Sequence, residues 1–233
     1  MAYPRQYLIN VYKDTLEKTE FLSKPKTRKI TFDDIKYSTK TPNVSVINTD
    51  SVSALEMYPN NTCILNMASA KHPGGGVAKG SSAQEESLFR CSNLHHISTS
   101  YYPLKDNEAL YSTNVSFIKN FKYMWMETKV CDVITIAAPN LHYGGYDKNF
   151  KDSEEYVNLI KNKMRLMLSS DCETIILGAW GCGVFGNNPY TIAKLFKEVI
   201  DEGSDIKNII FAVINDHNSV SNNYTAFKNI LDD

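Results

Sequence analysis

Neither sign of charge prevails in this chain. Its 233 residues carry 25 Lys and Arg against 26 Asp and Glu, a formal net charge of −1. That balance gives no global electrostatic ground for binding nucleic acid or an anionic membrane, so a polyanionic ligand would have to be gripped locally. Cysteine is sparse: Cys63, Cys91, Cys131, Cys172 and Cys182 are scattered, odd in number and nowhere spaced C-x-x-C. Such a set builds neither a disulfide framework nor a zinc site, and small buried apolar residues are expected instead. No apolar run approaches membrane-spanning length, and the opening Met-Ala-Tyr-Pro-Arg-Gln lacks the core of a signal peptide. An intracellular, cytoplasmic protein is therefore expected, or a nuclear one in a eukaryotic host. Repeats, low-complexity tracts and an interdomain linker are missing too. Residues 1–233 read as one domain, with 1–40 as an amino-terminal extension.

What the chain does have is alternation of two periods. Runs rich in β-branched residues predict strands at Val44–Asn48, Thr62–Asn66, Val130–Ala137, Thr174–Gly178 and Asn208–Ile214. Arg28–Phe32 and Asn114–Ile118 are weaker strand candidates. Helical periodicity marks Tyr7–Phe21, Ser51–Tyr58, Ala83–His96, Ser153–Leu168, Pro189–Ile200 and Val220–Leu231, with Pro189 placed as a first-turn residue. Lys24–Lys40 and Tyr101–Asn114 read as polar surface loops. This order predicts a three-layer α/β/α sandwich with a mixed, largely parallel sheet and an amino-terminal helical extension. Ligands of such folds gather at the carboxyl ends of strands. Thr49-Asp50, Asn66 through Gly76, Ala138-Pro139-Asn140 and Ala179 through Gly186 all follow predicted strands there, so four loops converge on one rim.

Two of these loops carry chemistry. In the first, Gly74, Gly75 and Gly76 stand together, and after seven intervening residues come Gln84, Glu85 and Glu86 at a helix start. Three glycines let the main chain approach a sugar or phosphate closely, and the two carboxylates offer acid–base groups beside it. A plainer account exists for each part. Ser82 and Glu85 fit a capping box, and Glu86 and Arg90 lie four apart as a surface pair. The glycines alone would make a flexible loop.

In the second, Gly181-Cys182-Gly183-Val184-Phe185-Gly186 matches G-x-G-x-x-G between a strand and a helix. A dinucleotide fingerprint would place its acidic residue about 20 positions on. Asp216 is 30 from Gly186, and the 47 residues left after Gly186 cannot complete such a domain. A loop that offers amides to a pyrophosphate survives that objection. Phe185 would face a sugar or base, or else pack in the core. Asp50 fits a cap on the helix that begins at Ser51.

Together these segments resemble the poly(ADP-ribose) glycohydrolases of the microbial type, a branch of the macrodomain fold. The resemblance rests on Leu65-Asn66-Met67-Ala68-Ser69-Ala70-Lys71-His72-Pro73-Gly74-Gly75-Gly76, on Gln84-Glu85-Glu86, on Ala137-Ala138-Pro139-Asn140 and on Leu177 through Phe185, in the family's order. It runs from about Tyr7 to the last strand. It implies a macrodomain-like domain that hydrolyses ribose–ribose O-glycosidic bonds, mainly from chain ends, and releases ADP-ribose. Glu86 would be the acid and then the base, Glu85 a clamp on ribose hydroxyls, and Gln84 an orienting or substrate-contacting residue. Gly74, Gly75 and Gly76 would embrace the distal ribose. Gly181, Cys182, Gly183 and Val184 would hold the pyrophosphate, with Phe185 on the terminal ribose and Asp50 at the adenine. Many macrodomains carry an Asn before the glycine loop where this chain has Ser69, so Asn66 and Ser69 are the candidates to share that contact. The implied partners are poly(ADP-ribose) or ADP-ribosylated proteins, acted on by a monomer with no cofactor and no metal. Two other activities remain open at this point: a reader that binds ADP-ribose without hydrolysis, and a hydrolase of another ADP-ribosyl linkage.

Overall fold

A computed structural model describes residues 3–143, 145–147, 149–214 and 222–232. Asp216 and the first two residues of the expected helix Val220–Leu231 lie outside them. Seven strands form one sheet: β1 (Lys26–Thr31), β2 (Asn43–Ile47), β3 (Thr62–Met67), β4 (Glu108–Lys119), β5 (Trp125–Ile136), β6 (Thr174–Leu177) and β7 (Asn208–Ala212). Their spatial order is β1-β4-β5-β3-β6-β7-β2. The pairs β5–β3, β3–β6, β6–β7 and β7–β2 are parallel, while β1–β4 and β4–β5 are antiparallel. The sheet is thus mixed and largely parallel, as its sequence predicts.

Helices cover both faces because the central strands are apolar on both. Successive residues point to opposite sides, so Ile175 and Ile209 belong to one core, Ile176 and Ile210 to the other. The first core packs α4 (Glu154–Leu168), α5 (Pro189–Asp201) and α6 (Asn223–Leu231) through Ile160, Met164, Ile192, Phe196 and Phe227. The second packs α2 (Ser51–Met57) and α3 (Gln84–Cys91) through Val52, Leu55, Leu88 and Phe89. α5 begins as the sequence signals: Pro189 fills its first turn, and the Asn188 side chain accepts from the amides of Tyr190 and Thr191.

The amino-terminal helix, α1 (Arg5–Thr19), lies against α3 and is held there by two buried cations. Arg90, fully buried on α3, donates to the carbonyls of Leu8, Val77 and Ser81, and its own carbonyl accepts from Thr15. Lys119 donates to the Val11 carbonyl, Thr15 Oγ1 and the Asp14 carboxylate. Arg90 therefore ties α1 to the turn that follows the glycine loop.

Two expected loops are partly strand. Within Lys24–Lys40, residues 26–31 form the edge strand β1, so the amino-terminal extension contributes to the sheet as well as a helix. Tyr101–Asn114 contains the first half of β4, paired on both sides. A bulge at Ser112–Val115, with Asn114 at a φ of 59°, breaks the two-residue alternation that would have exposed this strand in the sequence. No described helix is long and apolar enough to cross a membrane.

Candidate active site

The two carboxylates sit in the first turn of α3, where a helix N-terminus favours negative charge. Both are buried, Glu85 to 4% and Glu86 to 7% exposure. Glu85 does not cap its own helix; Ala83 occupies the cap position, and the Glu85 carboxylate reaches across to the loop after β3. Its Oε2 accepts from the Ser69 amide at 2.8 Å, and its Oε1 accepts from the Gly74 amide at 3.1 Å and from Asn66 Nδ2 at 3.4 Å. Nor does Glu86 pair with Arg90, whose guanidinium goes to carbonyls. Glu86 Oε1 accepts from the Gly76 amide at 2.9 Å, and its Oε2 is buried with no hydrogen-bond partner.

The glycine loop therefore spends its amides on the protein's own acids: Gly74 on Glu85, Gly76 on Glu86, and Gly75 on the His72 carbonyl. Gly75 has a φ of 53°, and a Cβ there would stand 2.7 Å from Glu86 Oε1 and 3.1 Å from Glu85 Oε2. Only glycine allows the main chain to lie this close to both carboxyls.

Gln84 serves as a brace. Its Oε1 accepts from the Met67 amide, while its Nε2 donates to the Leu65 carbonyl and to Ser51 Oγ, fastening α3 to the end of β3 and the start of α2. Asn66 is fully buried behind Glu85 and bonds Thr135 as well. Ser69 Oγ accepts from the amides of Lys71 and His72, which shapes the turn into the glycines. Both residues expected near the ribose thus act in this structure through the loop and Glu85.

Beside this turn of α3 opens a cavity of about 650 Å³. Asp50, Gln84, Gly183, Val184 and Phe185 are among the residues that line it, and Tyr3, Leu8 and Tyr123 extend it towards α1. Asp50 Oδ1 caps α2 through the amides of Val52 and Ser53. Phe185 both lines the cavity and packs on the first core. In the second loop Gly181, at a φ of 76°, starts a turn and its carbonyl accepts from the Asn187 amide; within that turn the Gly186 amide donates to the Gly183 carbonyl. The amides of Gly183, Val184 and Phe185 donate to no acceptor among the described residues. Three successive N–H groups without acceptors offer a candidate anion receptor. Cys182 is buried, its thiol turned to the Trp180 carbonyl, so only its main chain belongs to this receptor.

Sequence reasoning passed over Asn187. It is buried, donates to the carbonyls of Pro139 and Gly181 and accepts from Tyr156, so it joins two rim loops. An asparagine directly after a glycine loop was its only signal.

The environment of Glu85 sets its charge. Burial pushes its pKa up to about 7, against the pull of its hydrogen-bond donors, and the neighbouring Glu86 adds to the rise. The folded protein then holds this proton more tightly than the unfolded chain. The group's contribution to stability is full below about pH 4.5 and declines as pH rises towards 7. Among the described residues no group of three or more His, Cys, Asp or Glu is placed to hold a metal ion.

The sequence pattern of the microbial-type PARG catalytic domain matches residues 5–120, from α1 through the glycine loop and both glutamates to the end of β4. This chain belongs to the microbial-type poly(ADP-ribose) glycohydrolase family. Its fold agrees. The poly(ADP-ribose) glycohydrolase of Thermomonospora curvata, solved with the inhibitor ADP-HPD, superposes with a TM-score of 0.82 at 22% identity, over 96% of this chain and 99% of that one. The enzyme of Deinococcus radiodurans with ADP-ribose gives a TM-score of 0.73 at 22% identity, over 98% of this chain and 97% of that one. No curated protein matches in sequence. Membership places the chain among glycohydrolases, and its α/β sandwich is the macrodomain-like fold of those structures.

The open amides give one expected result. A Cβ on Gly183 would touch no protein atom within 4 Å, and its φ is not left-handed. Gly183→Val should therefore fold normally and yet lose ADP-ribose affinity, because the branched side chain would stand over the receptor. Thermal unfolding and calorimetry measure the two separately. An unchanged affinity would place the pyrophosphate elsewhere.

Proposed function

We propose that this protein hydrolyses the ribose–ribose bonds of poly(ADP-ribose) from chain ends, with Glu86 as acid and base and Glu85 as the ribose clamp. The observation that carries this reading is Glu86 Oε2, a buried carboxyl oxygen without a partner, next to a second carboxylate that is fully donated to. An orphaned buried oxygen costs stability, and function is the usual reason for keeping one. Donors are distributed unevenly over the pair. Three N–H groups converge on Glu85 and one on Glu86 Oε1, so Glu85 is held fast while Glu86 Oε2 is the oxygen left free to pass a proton to a substrate.

The step follows from that distribution. Glu86 Oε2 gives its proton to the glycosidic oxygen as the bond to the terminal ribose breaks, and positive charge develops on the ribose beside anionic Glu85. The Glu86 carboxylate then takes a proton from water, whose oxygen bonds the ribose carbon. ADP-ribose leaves, and the shortened polymer keeps a free hydroxyl. Adjacent residues of a helix diverge by about 100°, so Glu85 and Glu86 do not flank the bond as separate acid and nucleophile. In this reading the second loop grips the pyrophosphate through the amides of Gly183, Val184 and Phe185, Phe185 packs on the ribose, and Asp50 meets the adenine through the oxygen its helix leaves free. A pure reader would have no use for the unpartnered Oε2, which favours the enzyme.

One receptor of three amides serves one pyrophosphate, so the early product should be ADP-ribose rather than mid-length fragments. Chromatography of a defined polymer at early times tests this; fragments appearing before ADP-ribose would mean internal cleavage. The pH profile tests the charge assignment. Below about pH 7 Glu85 takes up a proton and ceases to be the anion that faces the developing charge, so kcat/KM should fall by about tenfold per pH unit. A flat profile between pH 6 and 8 would remove Glu85 from that role.

A further inference from the structure

The cavity beside α3 has a neighbour across the second loop. A hollow of about 780 Å³ lies between that loop, the start of α5, and the segment that carries His142 and Lys151. Gly183 and Asn223 line both spaces, so the loop that offers its amides to one side is also the wall of the other. The hollow's size suits a nucleotide.

We propose that this hollow receives the penultimate ADP-ribose unit of the polymer, an inference that rests on the polymer hydrolysis proposed above. A polymeric substrate continues past the unit being removed, and a formal net charge of −1 gives it no overall basic field to follow. Within Lys24–Lys40, Lys29, Lys36 and Lys40 are paired with Glu108, Asp171 and Asp205, and Arg28 lies over the Tyr111 ring. Lys151 differs: it lines the hollow, is exposed, and forms no hydrogen bond or ion pair with any described residue. A free ammonium at that wall is a point charge for a diphosphate. His142 lays its ring against Gly186, and its neighbour Tyr143 is 79% exposed with ring centroids 6.2 Å apart, which gives a base two aromatic surfaces. Asn140 holds this pair in place by accepting from the amides of both His142 and Tyr143. The segment is also fastened to the site, because the Leu141 amide donates to the Phe185 carbonyl at 2.9 Å. Asp152 is the one acidic residue among the described residues of the lining and keeps the subsite weak.

The test compares ligands with and without a penultimate unit. Kinetics on ADP-ribose oligomers of two and of several units are measured for the natural protein, Lys151→Gln and Lys151→Glu, with calorimetry of free ADP-ribose alongside. Charge reversal should raise KM by about fivefold for the two-unit and the longer oligomers alike and flatten its salt dependence, while kcat and the Kd of ADP-ribose, which has no penultimate unit, stay unchanged. Lys151→Gln should give a smaller shift in the same direction. An unchanged KM in both variants would overturn the proposal. So would a parallel loss of ADP-ribose affinity, which would make the hollow part of the terminal unit's own site. Failure of the underlying reading looks different: the natural protein would bind ADP-ribose and leave every oligomer intact.

Discussion

Glu86→Gln is expected to lower kcat by about 10²–10⁴-fold and to leave ADP-ribose binding in place. The amide keeps the shape of the side chain, and its oxygen can still accept from the Gly76 amide 2.9 Å away. What it loses is an acidic proton on the second atom, the one position of the carboxyl that the protein leaves unpartnered. Glu85→Gln should behave differently. Every hydrogen-bond partner of Glu85 is a donor, namely the amides of Ser69 and Gly74 and the Nδ2 of Asn66. Wherever the new NH2 points, it meets an N–H, at a cost of about 1–3 kcal/mol. A catalytic defect with an unaltered melting temperature is the signature of Glu86, and a defect with a lowered one that of Glu85. Near-normal turnover by purified Glu86→Gln would refute the assignment.

The sequence made the architecture legible where a segment obeyed a single period. α5 shows this best, with a capping Asn188, Pro189 in its first turn and an apolar stripe ending at Ile200. The central strands were equally readable, since burial on both faces gives unbroken runs such as Thr174–Leu177. β1 was legible only in part, as the weaker strand candidate Arg28–Phe32 inside a segment read as a loop, and the start of β4 was not. β1 is an edge strand with four exposed or half-exposed positions of its first four, so its polar residues imitate a loop. In β4 the bulge near Asn114 shifts the alternation part-way along. Of the candidate site, the residue types and spacing of Gly74–Gly76 and Gln84–Glu86 singled out a loop and a helix that the structure brings together. Their division of labour was not legible, because it depends on which amide meets which oxygen. The glycines had been expected to embrace a ribose, whereas their amides go to Glu85, Glu86 and His72. Gln84, Asn66 and Ser69 likewise turn inward, and no spacing rule shows the direction of a side chain.

Gly75→Ala should cost about as much activity as the loss of an acid, although it removes no functional group. At a φ of 53° an alanine is strained by about 1–3 kcal/mol. The larger effect is local. The new methyl carbon would lie 2.7 Å from Glu86 Oε1 and 3.1 Å from Glu85 Oε2, so one or both carboxyls must turn away. Relief by movement of Glu86 breaks its bond to the Gly76 amide and swings Oε2 off the glycosidic oxygen; relief by movement of the loop pulls the Gly74 amide from Glu85. Displacement of a reacting group by about 1 Å can cost on the order of 10²-fold, and kcat should fall by at least that much. Strain alone would not do this, and a second glycine separates the two causes. Gly203 also has a left-handed φ, of 104°, but its Cβ would meet the backbone of Ser38 and Thr39, remote from the carboxylates. Gly203→Ala should lower the midpoint of urea unfolding and leave kcat per folded molecule unchanged. Should Gly75→Ala likewise lose stability yet keep its kcat, the carboxylates would not need the positions this loop enforces, and the acid–base role of the pair would fall with it.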